Sequence, residues 1–136
     1  MTPGSFALVL HSHLPYVLSH GRWHDGTDWL FGAPAETYLP IIRVLDELID
    51  EGIAPKLTVG LSPVLCEQLA DESFKTEFHN YLSGRIAAAE QDAVQFGKDG
   101  RTGLSELAEK WIGTFSATAE HFERIDRDIL SQFRRF

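Results

Sequence analysis

Short apolar runs and an amphipathic helical pattern alternate in the first half of the chain. Residues 5–10, SFALVL, form a continuous apolar run of strand length, typical of a strand covered on both faces in a parallel sheet, and residues 56–61, KLTVGL, predict a second short strand. Between them, residues 37–51 place apolar side chains at helical spacing, with Pro40 in the first turn and Gly52 after the last. A strand, a crossover helix and a second strand in this order predict two parallel strands and an α/β fold.

The remainder of the chain has a helical pattern. Ser62 and Pro63 are typical of an N-cap and a first helical residue, and they predict a short helix over PVLCEQLA. After residue 72, apolar residues recur every three or four positions in two long stretches, which predict two long helices. The glycine-rich segment GKDGRTG at 97–103 predicts a turn between them, so that they pair as a long antiparallel hairpin.

These elements divide the chain into two parts. Residues 1–71 would hold the sheet and its helices, and residues 72–136 would form the helical hairpin, inserted in or packed on the first part. Two strands do not make a self-sufficient parallel sheet, because both would leave an open edge. We therefore expect the chain to be the N-terminal part of a larger barrel or open-sheet enzyme, or a second copy to cover the edges.

Composition and charge exclude several classes of partner. The 136 residues suffice for one domain, and 12 basic against 20 acidic residues give a net charge of -8. This charge argues against nucleic acid and anionic membranes as partners, and no apolar run approaches the roughly 20 residues of a membrane span. Cys66 is the single cysteine, so it makes no internal disulfide, and the first residues lack the pattern of a secretory signal. A reduced, cytoplasmic location is expected.

Two histidines follow the first apolar run. His11 and His13 are two residues apart, so on a strand they project from one face, near the end where parallel α/β folds build their sites. The pair could supply two imidazole ligands to a divalent metal, could bind a polar substrate, or could merely cap the strand end. The nearby candidates for further metal ligands complete no recognisable spacing: His20, His24, Asp25 and Asp28.

The segment between His13 and Thr37 is rich in aromatic residues and glycines. It is too long for a minimal crossover, and it is therefore predicted to be a functional loop. Aromatic rings beside polar groups suit a sugar, whose C–H face stacks on a ring while its hydroxyls take hydrogen bonds. Trp23 is expected to face solvent or ligand, whereas Trp29 and Phe31 could instead pack in the core.

Three stretches of the sequence, taken in order, carry a family resemblance. They are FALVLHSHLPYVLSHGRW, AETYLPIIRVLDEL and LTVGLSPVLCEQLAD. Together they resemble the opening of the 1,4-α-glucan branching enzymes of glycoside hydrolase family 57. The resemblance is close over residues 6–72 and rests on pattern rather than on letters across the hairpin. The motif HxHxPY after a strand is specific because the GRW and ETYLP segments follow it.

The resemblance implies a larger fold and a reaction. The fold would be the N-terminal part of an incomplete seven-stranded (β/α)7 barrel, which residues 1–71 begin and on which the hairpin packs. The reaction would be retaining transglycosylation, in which an α-1,4-linked chain is cleaved and rejoined as an α-1,6 branch, with no metal or other cofactor. The implied substrates are amylose, glycogen and maltooligosaccharides. The catalytic glutamate and aspartate are expected in later motifs, so the chain alone is expected to be inactive.

Five residues match family positions that are implied to bind substrate: His11, His13, Tyr16, Trp23 and Trp29. The histidines would line the donor-side sugar site, and the two tryptophans would border the glucan cleft. Tyr16 belongs to the same motif as the histidines.

The loop also departs from the family pattern. Relatives commonly have proline at His24 and paired glutamates at Thr27 and Asp28, so the resemblance does not imply the loop geometry or the acceptor preference. Two other functions stay open at this point. One is a non-catalytic binding or interaction module whose hairpin docks on a partner, and the other is a fragment of an HxH metal-dependent hydrolase.

Overall fold

A two-stranded parallel sheet lies among helices in the computed structural model, which describes residues 4–18, 21 and 26–136. The α/β class and the parallel pairing of the strands are confirmed. Within the described residues, no helix is both long and apolar enough to cross a membrane. The elements in chain order are β1 (Leu8–Ser12), α1 (Thr27–Ala33), a π-helical turn (Pro34–Tyr38), α2 (Leu39–Asp50), β2 (Leu57–Leu61), α3 (Pro63–Ala70), α4 (Glu72–Lys98), α5 (Thr102–Arg124) and α6 (Ile129–Arg135).

The first strand is shifted along the chain from its predicted position. β1 begins at Leu8, because that residue lies opposite Leu57, where β2 begins. The strand consequently extends to Ser12, and His11, which the pattern placed after the strand, lies within it opposite Gly60. β2 and α3 lie where the sequence predicts them, with β2 beginning one residue late.

Helices cover one face of the sheet. On that face, Leu10 borders a concavity that it shares with Tyr38 of the π-helical turn and Phe133 of α6. The opposite face carries His11, and Val9 on that face is 63% exposed. The apolar run at residues 5–10 predicted cover on both faces of the strand; in the part of the chain that the structure describes, helices cover only one face.

The first helical region is longer than predicted. The backbone is helical from Thr27 to Asp50, so the second half of the predicted loop is a helix. Pro34 and Pro40 favour a break because proline lacks a backbone N–H. The π-helical turn accommodates both, with the Leu39 N–H donating to the Pro34 carbonyl oxygen five residues earlier.

Aromatic packing explains why this region is helical despite its prolines. Phe31 is buried, and its ring centroid lies 6.0 Å from that of Phe74 and 5.4 Å from that of Tyr81, both on α4. Burying these rings stabilises the helical region from Thr27 to Asp50 more than its glycine and prolines destabilise it. The same cluster joins the base of the hairpin to the rest of the core. The division into residues 1–71 and 72–136 stays a prediction.

α4 and α5 form the predicted antiparallel hairpin. Near its base, the rings of Phe78 and Phe122 lie edge to face with centroids 4.8 Å apart. Near its tip, the Ser105 hydroxyl donates to the Ala93 carbonyl oxygen at 3.0 Å. Gly100, with a φ of +70°, reverses the chain inside the predicted turn, a conformation that favours glycine.

The second long helix ends earlier than the apolar pattern predicts. α5 stops at Arg124, and Asp126 and Arg127 follow with positive φ angles of 54° and 59°. A short helix, α6, then begins at Ile129 with Asp128 as its N-cap. Apolar spacing alone does not reveal this break, because the buried Ile129 continues the helical period after it.

Replacing Asp128 with alanine is expected to lower the free energy of unfolding by about 1 kcal/mol, because the change removes the N-cap of α6. The Asp128 carboxylate accepts from the Ser131 backbone N–H at 3.0 Å. Hydrogen bonds from Ser131, with smaller effects of Lys75 and Arg134, lower the pKa of Asp128 from its usual 3.8. A lowered native pKa means that the contribution is present above pH 3.8 and is lost as the pH falls through the native value.

Urea unfolding of Asp128→Ala near pH 7 and near pH 2 measures this loss and its pH dependence. Asp128→Asn is the control, because the amide oxygen keeps an acceptor for the Ser131 N–H and should retain most of the stability near pH 7. An equal loss for both variants would contradict the capping role.

Candidate functional site

His11 lies on the open face of the sheet. It is exposed in β1 opposite Gly60, and a Cβ atom at position 60 would lie 3.2 Å from His11 Nδ1. Glycine in β2 therefore leaves room for the imidazole ring. His13, one residue beyond β1, is also exposed, and the alternation of strand side chains places it on the same side as His11.

Ser12, between the two histidines, faces the helices. Its Oγ forms a hydrogen bond with the hydroxyl of Tyr38, and burial raises the pKa of Tyr38 while the bond to Ser12 partly opposes that rise. The Ser62 N–H donates to the Ser12 carbonyl oxygen at 3.1 Å, which extends the pairing of the two strands by one bond. These contacts fix the end of β1 and so the direction in which the histidines project.

A buried glutamine holds the segment that follows the histidines. Gln68 on α3 is fully buried; its Oε1 accepts from the Val17 N–H at 2.7 Å, and its Nε2 donates to the Pro15 carbonyl oxygen at 3.0 Å. The two bonds bracket Tyr16, whose side chain is 50% exposed. Gln68 therefore orders the backbone that presents Tyr16 beside the histidines, a role that was not predicted from the sequence.

The structure separates Trp29 from this strand end. Trp29 lies on α1 rather than in a loop and is 49% exposed, so it is not the core residue that the alternative interpretation allowed. The concavity beside Trp29 is lined by residues of α1, the π-helical turn and α4, and it includes neither His11, His13 nor Tyr16. Trp23 lies outside the described residues.

The described residues supply no further ligand for a metal site at His11 and His13. Among them, no group of three or more histidine, cysteine, aspartate or glutamate side chains could hold a metal ion. Asp28, one of the candidates, lies on α1 beside Trp29. The other three nearby candidates lie outside the described residues: His20, His24 and Asp25.

Comparisons with known proteins identify relatives of this chain. No family model matches it. A 1,4-alpha-glucan branching enzyme of Thermococcus kodakarensis is 34% identical over 131 residues, which are 96% of this chain and 19% of the relative. The structure of a GH57-type branching enzyme from Pyrococcus horikoshii matches with a TM-score of 0.89 and 39% identity, over 95% of this chain and 24% of that one. This chain is a homologue of GH57 branching enzymes.

The resemblance drawn from the sequence is therefore confirmed. The structure of an alpha-amylase from Thermotoga maritima also matches this chain, with a TM-score of 0.83 and 26% identity over 95% of the chain. This chain spans only 19% of the length of the curated Thermococcus kodakarensis relative. What it shares with the relatives is thus one region of a much longer protein.

Proposed function

We propose that this chain forms the first part of the catalytic (β/α)7 barrel of a 1,4-α-glucan branching enzyme. The observation that carries the proposal is the open sheet face, on which His11 lies beside Gly60. Further strands would pair with the outer edges of β1 and β2 and turn this face into the interior of an incomplete barrel. The histidines would then lie at the C-terminal end of the strands, where barrel enzymes bind their substrates.

The proposed reaction cleaves an α-1,4 bond and forms an α-1,6 bond with retention. One carboxylate attacks the anomeric carbon while a second carboxyl group, about 5 to 5.5 Å away, protonates the leaving oxygen. The 6-hydroxyl of the acceptor chain then gives its proton to the second carboxyl group, now ionised, and displaces the enzyme carboxylate from the anomeric carbon. The resemblance implies that both carboxylates lie in later motifs. We therefore assign the catalytic glutamate and aspartate to later strands of the barrel.

The strand-end residues would bind the sugar at the donor side. Imidazole nitrogens of His11 and His13 can donate to or accept from sugar hydroxyls, and these bonds strengthen as charge develops on the ring. The exposed Tyr16 ring offers a face for stacking, and Gln68 holds its backbone in place. Trp29, and Trp23 by its resemblance to family positions, would border the cleft that the glucan chain follows.

The proposed partner is an α-glucan such as amylose, glycogen or a maltooligosaccharide. The net charge of -8 disfavours nucleic acid and anionic membranes. We propose that the rest of the barrel, rather than a second copy, covers the open sheet edges, since 95% of the chain matches part of a single branching-enzyme chain. The mechanism uses no metal or other cofactor, and a cytoplasmic location fits the single Cys66.

Incubating the chain with amylose in EDTA, debranching the product and chromatographing the released chains tests this assignment. We expect no new α-1,6 linkages above a no-enzyme control, and measurable binding of maltoheptaose by calorimetry. New branches would contradict the assignment of the carboxylates to later strands. A defined oligomer with no response to maltoheptaose would favour the interaction module, and stoichiometric zinc binding without sugar binding would favour the metal-dependent hydrolase.

A further inference from the structure

Contacts between side chains join α6 to the strand end that carries the two histidines. Ser12 lies between His11 and His13 in the chain. Its hydroxyl shares a hydrogen bond with the hydroxyl of Tyr38. The Tyr38 ring in turn meets the ring of Phe133 on α6 edge to face, with centroids 6.2 Å apart and planes inclined by 76°. α6 follows the whole hairpin in the chain, so this helix reaches back to the first strand.

α6 is itself anchored at both ends. At its start, Asp128 caps the first turn and Ile129 is buried in the core. At its end, Arg135 forms an ion pair with Asp46 on α2. The helix packs against both α2 and α3. Phe133, which lies between these anchors, is therefore held in one position.

Tyr38 is buried but not closely packed on every side. Its side chain is 4% exposed, yet a concavity of about 190 Å³ lies beside it, lined also by Leu10, Ser12 and Phe133. Close packing normally fixes a buried ring, and an unfilled space next to the ring weakens that restraint. The hydrogen bond to Ser12 and the edge contact with Phe133 therefore determine where the Tyr38 hydroxyl lies.

The support reaches the histidines at Ser12. Its carbonyl oxygen accepts from the Ser62 N–H at 3.1 Å, the bond that extends the pairing of the two strands. His13 lies one residue beyond the end of β1. Anchoring the Ser12 side chain restrains the backbone from which His11 and His13 project, on the face of the sheet opposite to Tyr38.

We propose that Tyr38 and Phe133 are positioning residues, which hold the two histidines in place for the reaction through Ser12; the choice of reaction rests on the proposed function. Tyr38 is buried on the helix side of the sheet, so it acts through Ser12 rather than on the substrate. Misplacing a group that contacts the reacting sugar by about 1 Å costs up to about 10²-fold in rate. The helix that follows the hairpin would thus support a site at the end of the first strand.

Variants of the hydroxyl bond test the role of Tyr38 in the complete branching enzyme that we propose. Tyr38→Phe removes only the hydroxyl, and we expect kcat to fall about tenfold while KM changes by less than about twofold. Ser12→Ala removes the other partner of the same bond, so its effect should be similar and the double variant should lose no more than either single variant. Ser12→Thr keeps a hydroxyl and should retain most of kcat.

Phe133→Ala tests the contribution of α6. The Tyr38 ring loses its edge contact but keeps its hydrogen bond, so we expect a smaller fall in kcat, about threefold. Phe96→Ala is the matched control, because it removes another partly exposed phenylalanine from a helix, near the tip of the hairpin. It should leave kcat unchanged.

A second measurement uses the 136-residue chain and does not depend on activity. NMR spectra of the imidazole rings, with signals assigned by single substitutions, report the surroundings of each histidine. Tyr38→Phe and Phe133→Ala should shift or broaden the signals of His11 and His13 and leave that of His79, on α4, unchanged. Urea unfolding of each variant measures the accompanying loss of stability.

Three results would overturn the proposal. The first is an unchanged kcat for Tyr38→Phe in an enzyme whose turnover His11→Ala lowers, in which case the proposed function stands and only the positioning role fails. The second is a fall in kcat without any change in the His11 and His13 signals. The third is full additivity of Tyr38→Phe and Ser12→Ala, because the bond between them would then not be the link. The proposed function fails separately, if the histidine signals move as expected but the complete enzyme forms no α-1,6 linkages.

Discussion

Replacing Gln68 with leucine is expected to lower the free energy of unfolding by about 3 kcal/mol. The change leaves the buried Val17 N–H and the Pro15 carbonyl oxygen without the partners that now lie 2.7 and 3.0 Å away. Each buried polar group left unpaired costs about 1 to 3 kcal/mol, and the apolar leucine offsets only part of that cost. Urea unfolding measures the loss, which we expect to lower the melting temperature by about 10 °C.

Hydrogen exchange separates loss of this contact from general damage to α3. The Val17 amide should exchange much faster in Gln68→Leu, while amides inside α3 keep their protection relative to the remaining stability. Glu67→Leu, an exposed change at the neighbouring position, is the matched control and is expected to shift stability by less than about 0.5 kcal/mol. An unfolding free energy for Gln68→Leu that matches the control would exclude Gln68 as the residue that orders the Tyr16 segment.

A signal for Gln68 is present in the sequence. On α3, the apolar residues Leu65 and Leu69 mark the side that packs inward, and Gln68 lies on that same side one turn after Leu65. A polar residue on the apolar side of a helix is buried only if partners satisfy it. The pattern thus indicates that Gln68 has partners, but Pro15 and Val17 lie more than 50 residues away and are identified only by the fold.

Local pattern predicted the strands, α3 and the hairpin because in each case local preference and packing agree. It failed where they oppose each other. Gly32 and Pro34 indicate a loop, yet Phe31 packs on the aromatic rings of α4 and the segment is helical. The prediction also failed at the open face of the sheet. The apolar run that includes Val9 is suited to burial, but no described residue packs over Val9 on that face.

The candidate site, too, could be predicted only in part from the sequence. The spacing of His11 and His13 predicts that they share a face, which follows from strand geometry alone. The room that Gly60 leaves for His11 depends on the register between β1 and β2, which the apolar runs do not determine. The concavity beside Trp29 depends on how α1 meets the hairpin, so the local pattern around Trp29 does not predict it.

The second large effect is expected from His11→Ala in the complete branching enzyme that we propose. Turnover should fall by about 10²-fold, because the substitution removes a hydrogen bond that strengthens as charge develops on the sugar ring. KM should change less than kcat, since the interaction is made mainly in the transition state. Counting the α-1,6 linkages released by a debranching enzyme at several amylose concentrations measures both constants.

Two further variants test whether the position of His11 matters as well as its presence. Gly60→Ala keeps the imidazole but adds a Cβ atom 3.2 Å from Nδ1, so the ring must shift by a few tenths of an ångström. Turnover should then fall by less than in His11→Ala, about tenfold, because misplacing a group that contacts the reacting sugar is costly. His79→Ala is the control for removing a histidine, since His79 lies on α4 and bonds Glu123 at 2.8 Å. Unchanged turnover in His11→Ala would remove the open sheet face from the reaction, whereas a rise in KM alone would leave His11 as a residue that binds substrate and transition state equally.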